Sequence, residues 1–254
     1  MFMQIRLAVL LLWALVGVQA IAQVSQEQLN INGNSWSYRD SKFDLRGTIF
    51  RRQGPGPFGA VLIDFGRSGG ASSNSYATAE QFSKLGLMAM TVDYAISAPG
   101  KGFGQEAVNK ESVERMMKCL QLLRDMKHVD GRRIAAYGDG SGSYGVIRLA
   151  AEHSGLATAI ITAGGITSAS GHVAPDPEVA KRIRVPMLIL HGDADATVPP
   201  ACSLNLKNIL DKQKVVNERY VYPGGAHNIQ RTQAKDVLDR IKQWLTKVGV
   251  LKDQ

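Results

Sequence analysis

The stretch Arg133-Ile134-Ala135-Ala136-Tyr137-Gly138-Asp139-Gly140-Ser141-Gly142-Ser143-Tyr144-Gly145 decides how this chain is read. Ile134 to Tyr137 is a short apolar run, as expected of a strand covered on both faces. Val146 to His153 repeats apolar residues at helical spacing. Between them lies a turn built on Gly138, Gly140 and Gly142. A glycine-rich turn that joins a strand directly to a helix presents its central residue at the carboxyl end of the strand. Here that central residue is Gly140, which has no side chain. The nearest hydroxyl is on Ser141, and the next is on Ser143.

The same alternation extends in both directions. Upstream, Phe43 to Phe50 alternates apolar and polar residues, Ala60 to Ile63 and Leu87 to Val92 read as strands, and Tyr76 to Leu85 as a helix stopped by Gly86. Ser112 to Met126 carries Val113, Met116, Met117, Leu120 and Leu123 on one helical face. Downstream, Ala157 to Ala163, Val185 to Leu190 and Glu218 to Tyr222 read as strands. Leu204 to Leu210 and Thr232 to Val248 read as helices. This order predicts an α/β fold: one domain with a mostly parallel central sheet and helices on both faces. The segment from Ala163 to Val185 is too short for a large lid.

Sheets of this kind place their sites just beyond the carboxyl ends of the strands. After Leu190 comes His191-Gly192-Asp193-Ala194-Asp195-Ala196-Thr197-Val198-Pro199-Pro200, and after Tyr222 comes Pro223-Gly224-Gly225-Ala226-His227. The chain order is therefore glycine turn, acid, histidine. With RRIAAYGDGSGSYG, VPMLILHGDADATVPP and YPGGAH, the chain from about Phe43 to Val248 resembles the α/β-hydrolase family. It is most similar to the small, lidless dienelactone-hydrolase-like and acyl-esterase-like branch. The resemblance implies a single α/β-hydrolase domain and a carboxylic-ester hydrolase type of activity, without a cofactor. Carried over by position, Asp195 is the acid and His227 the base. Asp195 would accept Nδ1–H of His227, and Nε2 of His227 would take a proton from the attacking group. Asp193 is the alternative acid. Asp195 also reads as a turn residue before Val198, since Asp favours turns. His128, His153 and His172 read as loop or helix-end residues, and His191 as strand-end packing.

The chain departs from the family at two places. Gly140 stands where the family has its nucleophile, so that position is vacant. Ser141 is the candidate catalytic nucleophile beside it, and Ser143 would serve only if the turn slid. After Ile63 the chain has Asp64-Phe65-Gly66-Arg67-Ser68-Gly69-Gly70 where the family often has His-Gly. Backbone N–H groups around Phe65, Gly66, Arg67 and Ser68, together with the turn at Gly142, would form the oxyanion hole and contact the substrate. Arg67 would suit an anionic acyl group, or would pair with Asp64 or Asp93. Two functions follow. One is an exported serine-hydrolase-like protein acting on a small ester or related acyl bond through Ser141, His227 and Asp195. The other is a catalytically inactive protein of the same fold that binds a ligand or partner in the same cleft.

Residues 1–22 read as a signal peptide: Arg6, the uncharged apolar run Leu7 to Val18, then small residues alternating through Ala20 and Ala22. The expectation is a domain over 23–254, exported to the periplasm or beyond, with no stable membrane insertion after cleavage. Cys119 lies in an apolar helical face and reads as a buried thiol, and Cys202 opens another helix. The formal charge is +8, but the basic residues are dispersed, which argues against a nucleic-acid partner. Gly140 to Gly145 also matches G-x-G-x-x-G, yet it follows a late strand and no acid ends the next one, so a dinucleotide reading fails. No His/Cys/carboxylate spacing suggests a metal.

Overall fold

The computed structural model describes residues 29–65, 73–91, 110–152, 154–167 and 174–252. The proposed signal peptide, Gly66, Arg67, Ser68, Asp93, His153 and His172 lie outside the described residues. The strands are β1 (Leu29–Asn32), β2 (Ser35–Arg39), β3 (Asp44–Phe50), β4 (Phe58–Asp64), β5 (Met88–Thr91), β6 (Val129–Asp139), β7 (Thr158–Thr162), β8 (Met187–Gly192) and β9 (Asn217–Tyr222). The helices are α1 (Ser73–Lys84), α2 (Lys110–Asp125), α3 (Ser141–Ala151), α4 (Pro177–Ala180), α5 (Pro200–Lys212), α6 (Ile229–Thr232) and α7 (Ala234–Lys247). The strands form one sheet in the order β1-β2-β3-β5-β4-β6-β7-β8-β9. From β5 to β9 every pairing is parallel, while β1, β2 and β3 join antiparallel at one edge.

The apolar runs become central strands because both sheet faces are covered. Side chains alternate along a strand, and here each alternate set enters a different core. Ala60 and Leu62 of β4, Ile134 and Ala136 of β6, and Met187 and Ile189 of β8 pack with Met116 and Leu120 of α2 and Ile147 of α3. Val61, Ile63, Ala135, Tyr137, Leu188 and Leu190 pack on the other face with Phe82 of α1 and Ile241 and Trp244 of α7. The Trp244 indole is buried and its Nε1–H donates to Thr158 Oγ1 at 2.8 Å. Truncating it to alanine would cost about 3–5 kcal/mol.

The fold departs from the sequence reading in its first hairpin, in the short helix α4 and at several element ends. The β1–β2 hairpin is additional; its Gly33-Asn34 loop, with Gly33 at φ 56°, is a two-residue turn signal inside a short strand pair. Helix α3 begins at Ser141 and not at Val146, so the glycine turn is shorter than the composition implied and Gly140 directly precedes the helix. Cys119 and Cys202 are both free thiols; Cys119 is buried, and burial raises its pKa.

Candidate active site

The turn after β6 is a strand-to-helix elbow with Gly140 at its apex. Gly140 has φ 54° and ψ −118°, a conformation that side-chain-bearing residues hold only under strain. Its N–H donates to Thr162 O at 3.0 Å, and its carbonyl accepts Ser143 N–H at 3.1 Å. Gly138 is required because the strand and helix backbones touch there: a Cβ would lie 2.5 Å from Gly142 O. Ser143 is buried, and its Oγ lies 3.0 Å from Gly138 O and 2.8 Å from Thr162 O, so its hydroxyl clamps the elbow. Ser141 is the first residue of α3 and is half-buried, and Gly142 is buried in the same first turn. Phe65, at the end of β4, is buried with its ring 6.3 Å from that of Tyr137.

The loops after β8 and β9 are laced together, which brings the acid to the histidine. Asp193 N–H donates to Tyr222 O, Ala194 N–H to Gly225 O, and Gly224 N–H to Asp193 Oδ1. Asp193, the alternative acid, is exposed and committed to that backbone contact. Asp195 is 5% exposed. Its Oδ1 accepts the N–H groups of Thr197 and Val198 at 2.8 and 2.9 Å. Its Oδ2 lies 2.8 Å from His227 Nδ1. One oxygen of Asp195 therefore closes the turn before Val198, and the other meets the imidazole of His227. Burial alone would raise the pKa of this carboxyl, but the bonds from Val198, His227 and Thr197 outweigh it and hold it below the usual carboxylate range.

A carboxylate can only accept, so Nδ1 of His227 carries the proton and Nε2 of the neutral ring is left as an acceptor. That Nε2 faces the apex of the elbow. A Cβ on Gly140 would lie 3.2 Å from Nε2 and 3.7 Å from Cε1. The side-chain position opposite Nε2 of His227 is thus that of residue 140.

Two further groups join the site that the sequence reading left aside. His191 is fully buried, with Nε2 3.1 Å from Asp195 Oδ2 and 3.0 Å from Val198 O. Both partners are acceptors, so Nε2 carries the proton. Burial keeps its pKa below the ordinary imidazole value. His191 is packing, as its strand-end position suggests, but it packs on the acid. Asp139, adjacent to the apex, accepts Thr162 Oγ1–H on Oδ1 at 2.5 Å and Gln230 Nε2–H on Oδ2 at 2.6 Å. Gln230 follows His227 by three residues, so this carboxylate ties the elbow to the histidine loop. Burial pushes its pKa up to about 6, against the effects of Thr162 and of the His227 charge. Among the described residues no group of three or more His, Cys, Asp or Glu could hold a metal ion.

The parallel sheet, the elbow between β6 and α3, and the acid–histidine pair after β8 and β9 define an α/β-hydrolase fold. The chain belongs to the dienelactone hydrolase family, whose sequence profile it matches over residues 45–248. Its type is that of a carboxylic-ester hydrolase. Among solved structures it is similar to an α/β hydrolase enzyme from a Medee basin deep-sea metagenome library. The TM-score is 0.70 at 18% identity, over 88% of this chain and 99% of that one. A thermophilic esterase from the Planctomycetes species Thermogutta terrifontis, in its butyrate-bound form, gives 0.69 at 18% identity, over 91% and 98%. A putative dienelactone hydrolase from Klebsiella pneumoniae subsp. pneumoniae gives 0.67 at 18%, over 80% and 93%. At such identities these matches establish the fold. No curated protein matches the sequence.

Proposed function

We propose that the protein hydrolyses a small carboxylic ester, with His227 as general base, Asp195 as its orienting acid and a nucleophile that is not a side chain of residue 140. The observation that carries this is the aim of His227 Nε2 at the apex of the elbow, 3.2 Å from where a side chain of Gly140 would begin. With Gly140 there, no side chain stands between the apex of the elbow and an oriented acceptor. A water molecule between them gives its proton to Nε2 as its oxygen adds to the ester carbonyl. The proton then passes from Nε2 to the leaving alkoxide, releasing acid and alcohol. N–H groups in the first turn of α3 supply positive potential for the oxyanion. Phe65, Gly66, Arg67 and Ser68 remain the proposed second wall, and Arg67 favours an anionic acyl group.

A second reading rests on Ser141. It is half-buried at the first position of α3, one residue from the apex, and its hydroxyl would form an acyl-enzyme. Either route is slow beside a complete triad, where loss of the nucleophile removes on the order of a millionfold in rate. Incubation with a fluorophosphonate, followed by mass spectrometry and assay with p-nitrophenyl acetate, tests both. Turnover without an adduct, lost in His227→Ala, supports the water route. An adduct on Ser141 that is lost in His227→Ala supports the covalent route. No adduct and no turnover sinks ester hydrolysis and leaves a binding protein built on the same cleft. Arg6, the apolar run Leu7 to Val18 and the small residues before Gln23 support export to the periplasm or outside the cell. No helix among the described residues is long and apolar enough to cross a membrane.

A further inference from the structure

A cavity of about 880 Å³ opens between α2, the turn before β3, and the carboxyl ends of α3 and α4. It shares no lining residue with the elbow, Asp195 or His227. Five cations line it, Lys42, Lys118, Arg124, Arg148 and Arg182, against two carboxylates, Glu114 and Glu152. Most of these charges are already committed. Lys42 pairs with Glu114 at 2.8 Å and Arg182 with Glu152 at 3.3 Å. Lys118 lies 3.8 Å from Asp40 and over the Tyr38 ring, and Arg124 donates to Ser154 O.

Arg148 is the exception. It projects from α3 into this cavity, and no hydrogen bond or ion pair joins it to a described residue; only the charge of Asp176 acts on it favourably, against that of Arg182. Its Nε is sealed from solvent without an acceptor. An N–H covered in this way is costly unless an acceptor meets it. The remaining lining is the amide of Gln121 and an apolar wall of Phe43, Val113 and Met117. A guanidinium without a hydrogen-bonding partner beside an apolar wall calls for one negative charge on an apolar body, which an inorganic polyanion does not offer. Arg forks match carboxylate geometry in two parallel bonds.

We propose that this cleft is a binding site for an organic monoanion, a carboxylate carried on an alkyl or aryl body, with the carboxylate on Arg148 and the body against Phe43, Val113 and Met117. The site is separate from the esterase site and does not depend on the hydrolytic reading. Calorimetric titration of the full chain with octanoate, octanol and inorganic phosphate tests it. Octanoate binds saturably below about 1 mM, and octanol and phosphate at least about tenfold more weakly. Arg148→Met weakens octanoate at least about tenfold, because a charged hydrogen-bonding partner is lost. His227→Ala leaves octanoate binding unchanged. Silence with octanoate, equal binding by Arg148→Met, tighter binding of phosphate, or loss in His227→Ala each overturns the proposal. Should Arg148→Met fail to fold, Arg148→Lys keeps the charge and loses the fork. Octanoate then weakens several-fold while octanol does not, and equal octanoate affinity overturns the assignment.

Discussion

Two carboxylates stand at the strand ends of this site, and the protein treats them in opposite ways. Asp195 takes two backbone N–H groups on one oxygen and two imidazole nitrogens around the other. Its pKa is held down despite its burial. Asp139 takes one hydroxyl and one amide, neither charged, and its pKa rises to about 6. Burial alone disfavours a carboxylate, and what decides the sign is how many donors converge on it. Asp195 is held ionised against the Nδ1–H of His227. Asp139 is built to hold the elbow against the loop of His227, and its charge is poorly supported at neutral pH.

The sharpest break of this comparison is Asp195→Asn. The amide cannot accept His227 Nδ1–H as the carboxylate does, and the ring is free to turn to the wrong tautomer. In a complete triad this change costs roughly ten-thousandfold. Here the expected outcome is loss of p-nitrophenyl acetate turnover to background, with the protein still folded by circular dichroism. Retained turnover would show that the dyad does no chemistry. Next in size is the opposite experiment, Gly140→Ser. Its Cβ would come 3.2 Å from His227 Nε2, so the ring must give by a few tenths of an ångström. The backbone there already has the elbow conformation. Turnover should rise about a hundredfold or more, with a new fluorophosphonate adduct on residue 140, since a positioned hydroxyl would restore covalent catalysis. No gain would mean that the oxyanion wall is missing as well.

Asp139→Asn probes the other carboxylate through stability. Folding raises its pKa from 3.8 to about 6. The native state therefore binds more protons than the unfolded chain between these values. The stabilisation from Asp139 is full below pH 4 and is lost as pH rises through 6. A shift of two units corresponds to at most about 3 kcal/mol, and partial solvent access brings this to roughly 1–3 kcal/mol. The introduced amide keeps the Thr162 contact on its carbonyl. Its NH₂ meets Gln230, whose Oε1 is buried without a partner and can turn to accept it. Urea unfolding should therefore find the variant more stable than the parent at pH 8 and equal to it at pH 4. A variant weaker than the parent at pH 8 would show that the charge itself holds the loop.

Much of this was legible in the chain because it is set by local rules. Continuous apolar runs marked β4, β6 and β8, since a strand covered on both faces has no polar side. Turn glycines and strand-end order marked the elbow, Asp195 and His227. The parts that were not legible depend on contacts between distant segments. Asp139 looked like a spacer inside the glycine turn until Gln230, 91 residues later, met its carboxylate. His191 gave no sign that its ring would share Asp195 with His227. The direction of a side chain at residue 140 relative to Nε2 is likewise a property of two loops, one after β6 and one after β9. The β1–β2 hairpin escaped for a different reason: Leu29, Ile31, Trp36 and Tyr38 do alternate with polar residues, but over strands of only four and five residues.

The smallest expected effect belongs to Asp193, two residues from the acid and chemically identical to it. In sequence the two compete for the same role, and only geometry separates them. Asp193 is exposed, and its Oδ1 accepts Gly224 N–H at 2.7 Å, on the loop that leads to His227. Its contribution is therefore to the path of that loop. An exposed side chain to backbone bond of this kind is worth about 0.5–1.5 kcal/mol. Asp193→Asn keeps a carbonyl acceptor for Gly224 and should alter stability by less than about 0.5 kcal/mol. Asp193→Ala removes the acceptor, and the loop before His227 loosens. Turnover should then fall by a few-fold through KM and kcat together, with the pH dependence unchanged, because the base keeps its partner. A loss comparable to that of Asp195→Asn would transfer the acid's role to Asp193. It would mean that His227 in solution pairs with the outer carboxylate of this loop.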